Sequence, residues 1–189
     1  MICLTIIDSR RFGDESLLAG AFGNLGRDVL AALVREGHDV LAAGPEILAV
    51  PGINGTYRTR LIDATEPDTL YDIFEGFDCV ISTVGLTTAS RTVTNYDVDY
   101  LGNMNLLREA KRAGVRKFAY VSVIKADSDA TVPILDAKNK FEQELKASGI
   151  PYVIYRPTGY FYDIAKVFKP MIEKGKVTLL GKKDYFACA

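Results

Sequence analysis

Gly20, Gly23 and Gly26 stand three residues apart in Leu18-Ala19-Gly20-Ala21-Phe22-Gly23-Asn24-Leu25-Gly26, after a short apolar run and before a helical pattern. Glycines so placed can build a phosphate cradle. The first lets the chain turn tightly, the second lets backbone approach a pyrophosphate, and the third lets helix and strand pack closely. The helix start adds unpaired N–H groups and roughly half a positive charge. Other chemistries find less support. A single histidine, His38, argues against a His-based triad or metal cluster, and Cys3, Cys79 and Cys188 are widely spaced without a C-x-x-C pair. With 23 Lys and Arg against 24 Asp and Glu, the net charge of -1 gives no positive field to hold a nucleic acid.

The cradle needs a strand before it and a helix after it, and the pattern supplies both. Residues 16–19 are a short apolar run, and Leu25, Val29, Leu30, Leu33 and Val34 recur at helical spacing through 24–36, with Gly37 as the stop. Further strands are expected at 38–43, 57–62, 78–83, 117–123, 151–155 and 176–180, and helices at 66–74, 97–113 and 136–148. The helix over 97–113 presents Val98, Leu101, Met104, Leu107 and Ala110 as its apolar face. The run around Cys79-Val80-Ile81 suits a strand covered on both sides. Strand and helix alternate, which predicts an α/β fold with a doubly wound parallel sheet. A chain of 189 residues suits one such domain.

Residues 1–14 precede that pattern as a lead of uncertain structure. Their apolar stretch, 1–7, is short and is followed by Asp8, Arg10 and Arg11, the reverse of a signal-peptide layout. No run approaches the ~20 apolar residues of a membrane span. The expectation is a cytoplasmic protein with no membrane or nucleic-acid partner.

Three further stretches narrow the reading: Gly114-Val115-Arg116-Lys117-Phe118-Ala119-Tyr120-Val121-Ser122, then Ala137-Lys138 with Glu142, Leu145 and Ser148-Gly149, then Tyr152-Val153-Ile154-Tyr155-Arg156-Pro157-Thr158. Together with the glycine loop they resemble the atypical short-chain dehydrogenase/reductase group, with its NmrA-like NAD(P)-binding proteins, over residues 16–181. The resemblance implies a Rossmann domain over 15–189. It places Gly20, Phe22, Gly23, Asn24, Leu25 and Gly26 around a pyrophosphate, Asp63 near the adenine amino group, and Thr83, Val84 and Gly85 under the adenosine ribose. Ser122, Lys138 and the turn Arg156-Pro157-Thr158 are implied to face the nicotinamide half, with Lys138 and Ser122 as the catalytic candidates. Plainer alternatives stand beside these roles. Asp63 can cap the helix expected at 66–74, Ser122 can be a buried hydroxyl bonded to backbone, and Lys138 can be a solvated helix residue. Tyr152, Tyr155, Tyr160 and Phe161 read better as core than as a substrate cage.

The chain departs from the resembled group in three places. Active members carry a Tyr four residues before the Lys, where the ammonium lowers the phenol's pKa; this chain has Ile134, and Tyr160 or Tyr162 would have to substitute in space. At the end of the second strand, an acid reads the ribose diol of NAD and a basic residue reads the 2′-phosphate of NADP. The chain has Ala42-Ala43-Gly44-Pro45 there and so neither reader, and Arg27 is the best remaining phosphate partner. That NADP(H) is favoured over NAD(H) is what the resemblance to atypical relatives implies. The group also continues past the strand at 177–180, so the C-terminal substrate portion reads as short or missing. The first function expected is an NAD(P)H-dependent oxidoreductase acting on a small carbonyl or enone. The alternative is a non-catalytic NADP(H) redox sensor that docks a protein partner, and a homo-oligomer is left open. A flavin-reductase-like activity is third.

Overall fold

Leu17, Leu18 and Ala19 are all fully buried, yet they serve two separate cores. Successive strand side chains point to opposite faces. Leu17 and Ala19 therefore join Val80, Phe118 and Tyr120 in one layer, while Leu18 joins Val40, Ala42, Ile81 and Ala119 in the other. This is how an unbroken apolar run becomes a central strand of a parallel sheet. The computed structural model of the protein describes residues 15–86, 90 and 92–175.

Six strands form one sheet: β1 (Glu15–Ala19), β2 (Asp39–Gly44), β3 (Arg58–Leu61), β4 (Cys79–Ser82), β5 (Lys117–Val121) and β6 (Tyr152–Tyr155). Every pairing is parallel and the order is β3-β2-β1-β4-β5-β6, a Rossmann-type doubly wound sheet. The order reverses between β1 and β4, the switch point where such sheets bind ligands beyond their carboxyl ends. Ala19 lies opposite Ala43 on one side and Ser82 on the other, so the loops leaving β1, β2 and β4 emerge level with one another.

Helix α1 (Asn24–Arg35) buries Val29, Leu30 and Leu33 in the Leu18 layer. Full burial of each such side chain contributes about 1.5–3 kcal/mol. On the other face lie α2 (Asn103–Arg112), with Leu106, Leu107 and Ala110, and α3 (Pro133–Ala147), with Phe141 and Leu145. A further helix, α4 (Phe161–Glu173), follows β6 and carries Pro170 inside it; the sequence pattern did not mark it.

Several expected elements change. The helix expected over 66–74 is only a 3₁₀ turn, Pro67–Leu70. Asp72 then takes the left-handed conformation (φ 59°), which ends any helix there, although Leu70, Ile73, Phe74 and Phe77 are still buried. The helix expected over 97–113 divides into a π-helical turn, Tyr96–Gly102, and α2. A π turn closes i→i+5 rings, which shifts the phase of the buried stripe. Leu101 is consequently 38% exposed, while Asp99 and Asn103 are fully buried. Helix α3 begins three residues earlier than the expected Asp136, with Pro133 in its first turn. The lead 1–14 and the strand expected at 176–180 lie outside the described residues.

Candidate dinucleotide site

The bend after β1 is built so that backbone crosses backbone. Gly20 has φ 80°, its N–H donates to the Ala43 carbonyl at 2.9 Å, and Ala21 N–H shares that oxygen at 3.1 Å. A Cβ on Gly20 would meet Thr83 Oγ1 at 2.7 Å, and one on Gly26 would meet the Gly20 carbonyl oxygen at 2.0 Å. Only glycine permits that approach. The N-cap of α1 is Gly23, which can offer no side-chain cap, so the first-turn amides stay available to a ligand.

Other side chains hold the bend. Thr83 Oγ1 donates toward the carbonyls of Ala19 and Gly20, each at 3.1 Å. Arg27 Nε donates to the Phe22 carbonyl at 2.8 Å, so this guanidinium braces the loop from inside. Phe22 is 4% exposed and packs in the Leu18 layer; a Cβ on Gly44 would lie 3.1 Å from its ring. That ring fills the space at the end of β2 where a charged ribose reader would project. Val84 N–H donates to Ser82 Oγ, and Val84 packs on the Leu17 layer.

Beyond the bend opens a cleft of about 250 Å³. It is lined by Gly23, Asn24, Leu25 and Gly26 of the bend and α1, by Thr83 and Gly85 after β4, and by Asp99, Val121, Ile134, Lys138, Tyr160 and Tyr162. A second hollow, lined by Leu25, Val121, Tyr155, Arg156, Pro157, Thr158 and Tyr160, adjoins it through shared residues. The structure thus brings most of the sequence-predicted residues together. Gly20, Phe22, Arg27 and Val84 form or back the bend rather than either lining, and Asp63 and Ser122 are not part of either lining. The Asp63 carboxylate accepts from Thr65 N–H and Oγ1 at 2.8 and 2.7 Å, closing a turn ahead of the 3₁₀ segment. Ser122, 2% exposed, donates to Glu142 Oε1 at 2.6 Å.

Lys138 is not a solvated helix residue. It is 7% exposed, and its Nζ lies 3.0 Å from Asp99 Oδ1, 3.3 Å from the Val121 carbonyl and 3.4 Å from Tyr120 Oη. Burial, with Asp99 and Glu142 adding to it, pushes the Tyr120 phenol well above its ordinary value of 10. The phenol therefore stays protonated and is a weaker acid than an ordinary tyrosine. Sequence reasoning missed Asp99 entirely. Its Oδ2 accepts from Leu86 N–H at 3.2 Å and Asn95 Nδ2 at 3.0 Å. Asn103 anchors the same turn, donating to the carbonyls of Val84, Val98 and Asp99 and accepting from Ser82 Oγ at 2.6 Å. The available signal was spacing: Asp99, Asn103, Leu106, Leu107 and Ala110 form one helical stripe.

A second charged group supports the far wall. Glu142, fully buried, accepts from Arg156 Nε at 2.8 Å and Nη2 at 2.6 Å, and from Lys146 at 3.1 Å. Burial pushes its carboxyl up, but the hydrogen bonds from Arg156, Ser122 and Lys146 outweigh that and hold it below the usual value. Arg156 also reaches Asp127, which ties the turn at 156–158 to the loop after β5. The position one helical turn before Lys138 is Ile134, in the cleft wall; Tyr160 and Tyr162 line the cleft too, their rings stacked at 6.1 Å. Both therefore serve the cleft rather than the core alone, while Phe161 is 66% and Tyr152 44% exposed.

These features fit a dinucleotide: a glycine bend a Cβ would fill, an uncapped helix start, and a cleft running away from it across the switch point. A family model described as NAD(P)H-binding matches residues 20–178. The photosystem II assembly factor Ycf39 of Synechocystis sp. is 26% identical over 173 residues, which is 90% of this chain and 53% of that protein. The chloroplastic divinyl chlorophyllide a 8-vinyl-reductase of Arabidopsis thaliana is 28% identical over 186 residues, 84% of this chain and 44% of that one. The chain thus spans about half the length of the curated relatives it matches. An NADPH-dependent quinone oxidoreductase of Escherichia coli, complexed with NADPH, has the same fold, with a TM-score of 0.68 at 22% identity over 85% of this chain and 54% of that one. A nucleoside-diphosphate-sugar epimerase of Staphylococcus aureus superposes with a TM-score of 0.70 at 17% identity, over 86% and 57%. The matched stretch takes in the glycine bend, the strands from β2 to β6 and the cleft, and the chain belongs to the NAD(P)H-binding family.

Proposed function

We propose that the protein is an NAD(P)H-dependent oxidoreductase acting on a small carbonyl or enone. The observation that carries this reading is the continuity of the glycine bend with a cleft that ends at a buried lysine and two tyrosines. The dinucleotide, when bound, supplies or accepts a hydride; the chain supplies fit, orientation and exclusion of water. The bend and the first turn of α1 would hold the pyrophosphate. Lys138, paired with Asp99, would stand as a positioned hydrogen-bond donor at the far half, and Tyr160 and Tyr162 are the phenols the cleft offers in place of the one absent at Ile134. An enone suits this cleft better than an isolated ketone. Its conjugate reduction leaves an enolate whose oxygen, as the conjugate base of an enol, is less basic than an alkoxide oxygen, so the hydride step leans less on a positioned acid.

NADP(H) is the favoured form, but Arg27 carries that preference less than the sequence suggests, because its Nε is already committed to the loop. A second reading, a redox sensor that docks a protein partner, draws on Ile134 in the cleft wall and on the likeness to an assembly factor.

The test is a thermal-shift comparison of NADPH, NADP, NADH and NAD, since a ligand of the folded state raises its stability. At a concentration of ~100 Kd the gain is about 2.7 kcal/mol, roughly 5–10 °C for a domain of this size. No shift with any of the four would overturn both readings. Shifts without turnover on a carbonyl and enone panel would leave the sensor.

A further inference from the structure

The cleft contains a charge arrangement that the glycine bend does not require. Asp99 and Lys138 come from different elements, the π-helical turn and α3, and meet beneath Gly85. A Cβ on Gly85 would meet Asp99 Oδ1 at 2.8 Å and Lys138 Nζ at 3.2 Å, so the glycine lets backbone close over the pair without displacing either charged group. The carboxylate side chain is wholly buried and the ammonium side chain 9% exposed, and both line the cleft. Asp99 Oδ1 accepts no aligned hydrogen bond although Nζ is 3.0 Å away, so the contact is one of charge with charge. The other buried carboxylate nearby, Glu142, is already compensated by Arg156 and Lys146.

The pair lies on the β4–β5 side of the switch point. In a sheet of this order the residue at the end of β2 reads the adenosine ribose, so the redox-active half of a bound dinucleotide lies over the β4–β5 side. The oxidised nicotinamide ring carries a full positive charge and the reduced ring none. A lone ammonium in this poorly solvated wall would therefore penalise the oxidised form selectively.

We infer that Asp99 sets the protein's relative affinity for oxidised and reduced dinucleotide by cancelling the charge of Lys138. This deepens the oxidoreductase reading and rests on it. Asp99 acts through Lys138 as a positioning residue and touches no reacting atom. The neutral pair keeps the affinities for the two redox forms similar, which lets the spent form leave about as readily as the fresh form binds. A sensor requires the opposite, because a ligand binding two states equally shifts neither.

The test is calorimetric titration of the full chain with NADP and NADPH. In Asp99→Asn the ratio of Kd for the oxidised form to Kd for the reduced form rises about tenfold. In the double variant Asp99→Asn/Lys138→Met, which removes both charges, the ratio returns to within about twofold of the unmodified protein. Asp99→Ser replaces the Asn variant if that variant does not melt cooperatively. A merely structural role would weaken both forms alike, and an unchanged ratio in the single variant would overturn the inference while leaving dinucleotide binding intact. Failure of the unmodified protein to bind either form would instead remove the reading beneath it.

Discussion

Two residues test the site one atom group at a time. In Gly26→Ala, the new Cβ would press on the Gly20 carbonyl, a backbone atom that cannot step aside without moving the bend. The expected cost is about 3 kcal/mol, or roughly 10 °C in a melting curve, together with loss of any dinucleotide-induced shift. Glu142 gives a pH signature. Its folded-state value is depressed below the ordinary 4.5, so the unfolded chain binds its proton more readily. The stability it contributes is complete above about pH 4.5 and is lost as pH falls through the lower folded value. Melting temperature should therefore drop below about pH 4.5. In Glu142→Gln that drop should be shallower, and at pH 7 the variant should be about 3 kcal/mol less stable, because Arg156 and Lys146 lose their partner. An acid limb as steep as the unmodified protein's would contradict this account.

At the scale of elements, α3 decides what chemistry the cleft can do. Its start at Pro133 puts Ile134 one turn before Lys138 on the same face. Ile134→Tyr should thus add a phenol beside the ammonium. It is expected to raise NADPH-dependent reduction of isolated ketones by about 10²-fold, read as kcat/KM, with little change for enones. The core of this arrangement was legible in the sequence. The glycine triplet, the apolar strands and the α1 stripe obey simple periods, and the structure keeps them. What was not legible depends on geometry that period-counting does not contain. The residues from Leu70 to Phe77 are buried at helical spacing through a series of turns, because Asp72 adopts a positive φ. Asp99 and Asn103 do fall on the helical stripe of Leu106, Leu107 and Ala110, but two polar side chains at its head compete with the apolar Val98 and Leu101. Only the π turn and the partners Lys138 and Ser82 decide that they are the buried pair. Lys138 and Glu142, four apart on α3, are buried beside Ala137 and Phe141 because each meets an opposite charge from another element. A helical wheel cannot supply those partners.

Taken as a whole, the molecule sets its functional loops on the carboxyl side of one sheet and closes both faces with apolar layers. The rim is different. Strand β3 pairs only with β2 among the described residues, and its four residues are all exposed. Arg58 and Arg60 lie on it, and Arg58 is held by Asp39 at 3.2 Å and stacks 5.2 Å from the Phe77 ring. Unpaired strand backbone invites pairing with another chain, and charged side chains on the border oppose it. Replacing both arginines with valine should leave the dinucleotide response intact but cause light scattering to rise with protein concentration. Unchanged scattering would mean that something else guards this border. If scattering rises as expected, two cations on the sheet border, outside the cleft lining, govern how crowded a solution the protein tolerates before neighbouring copies stitch together into fibrous aggregates.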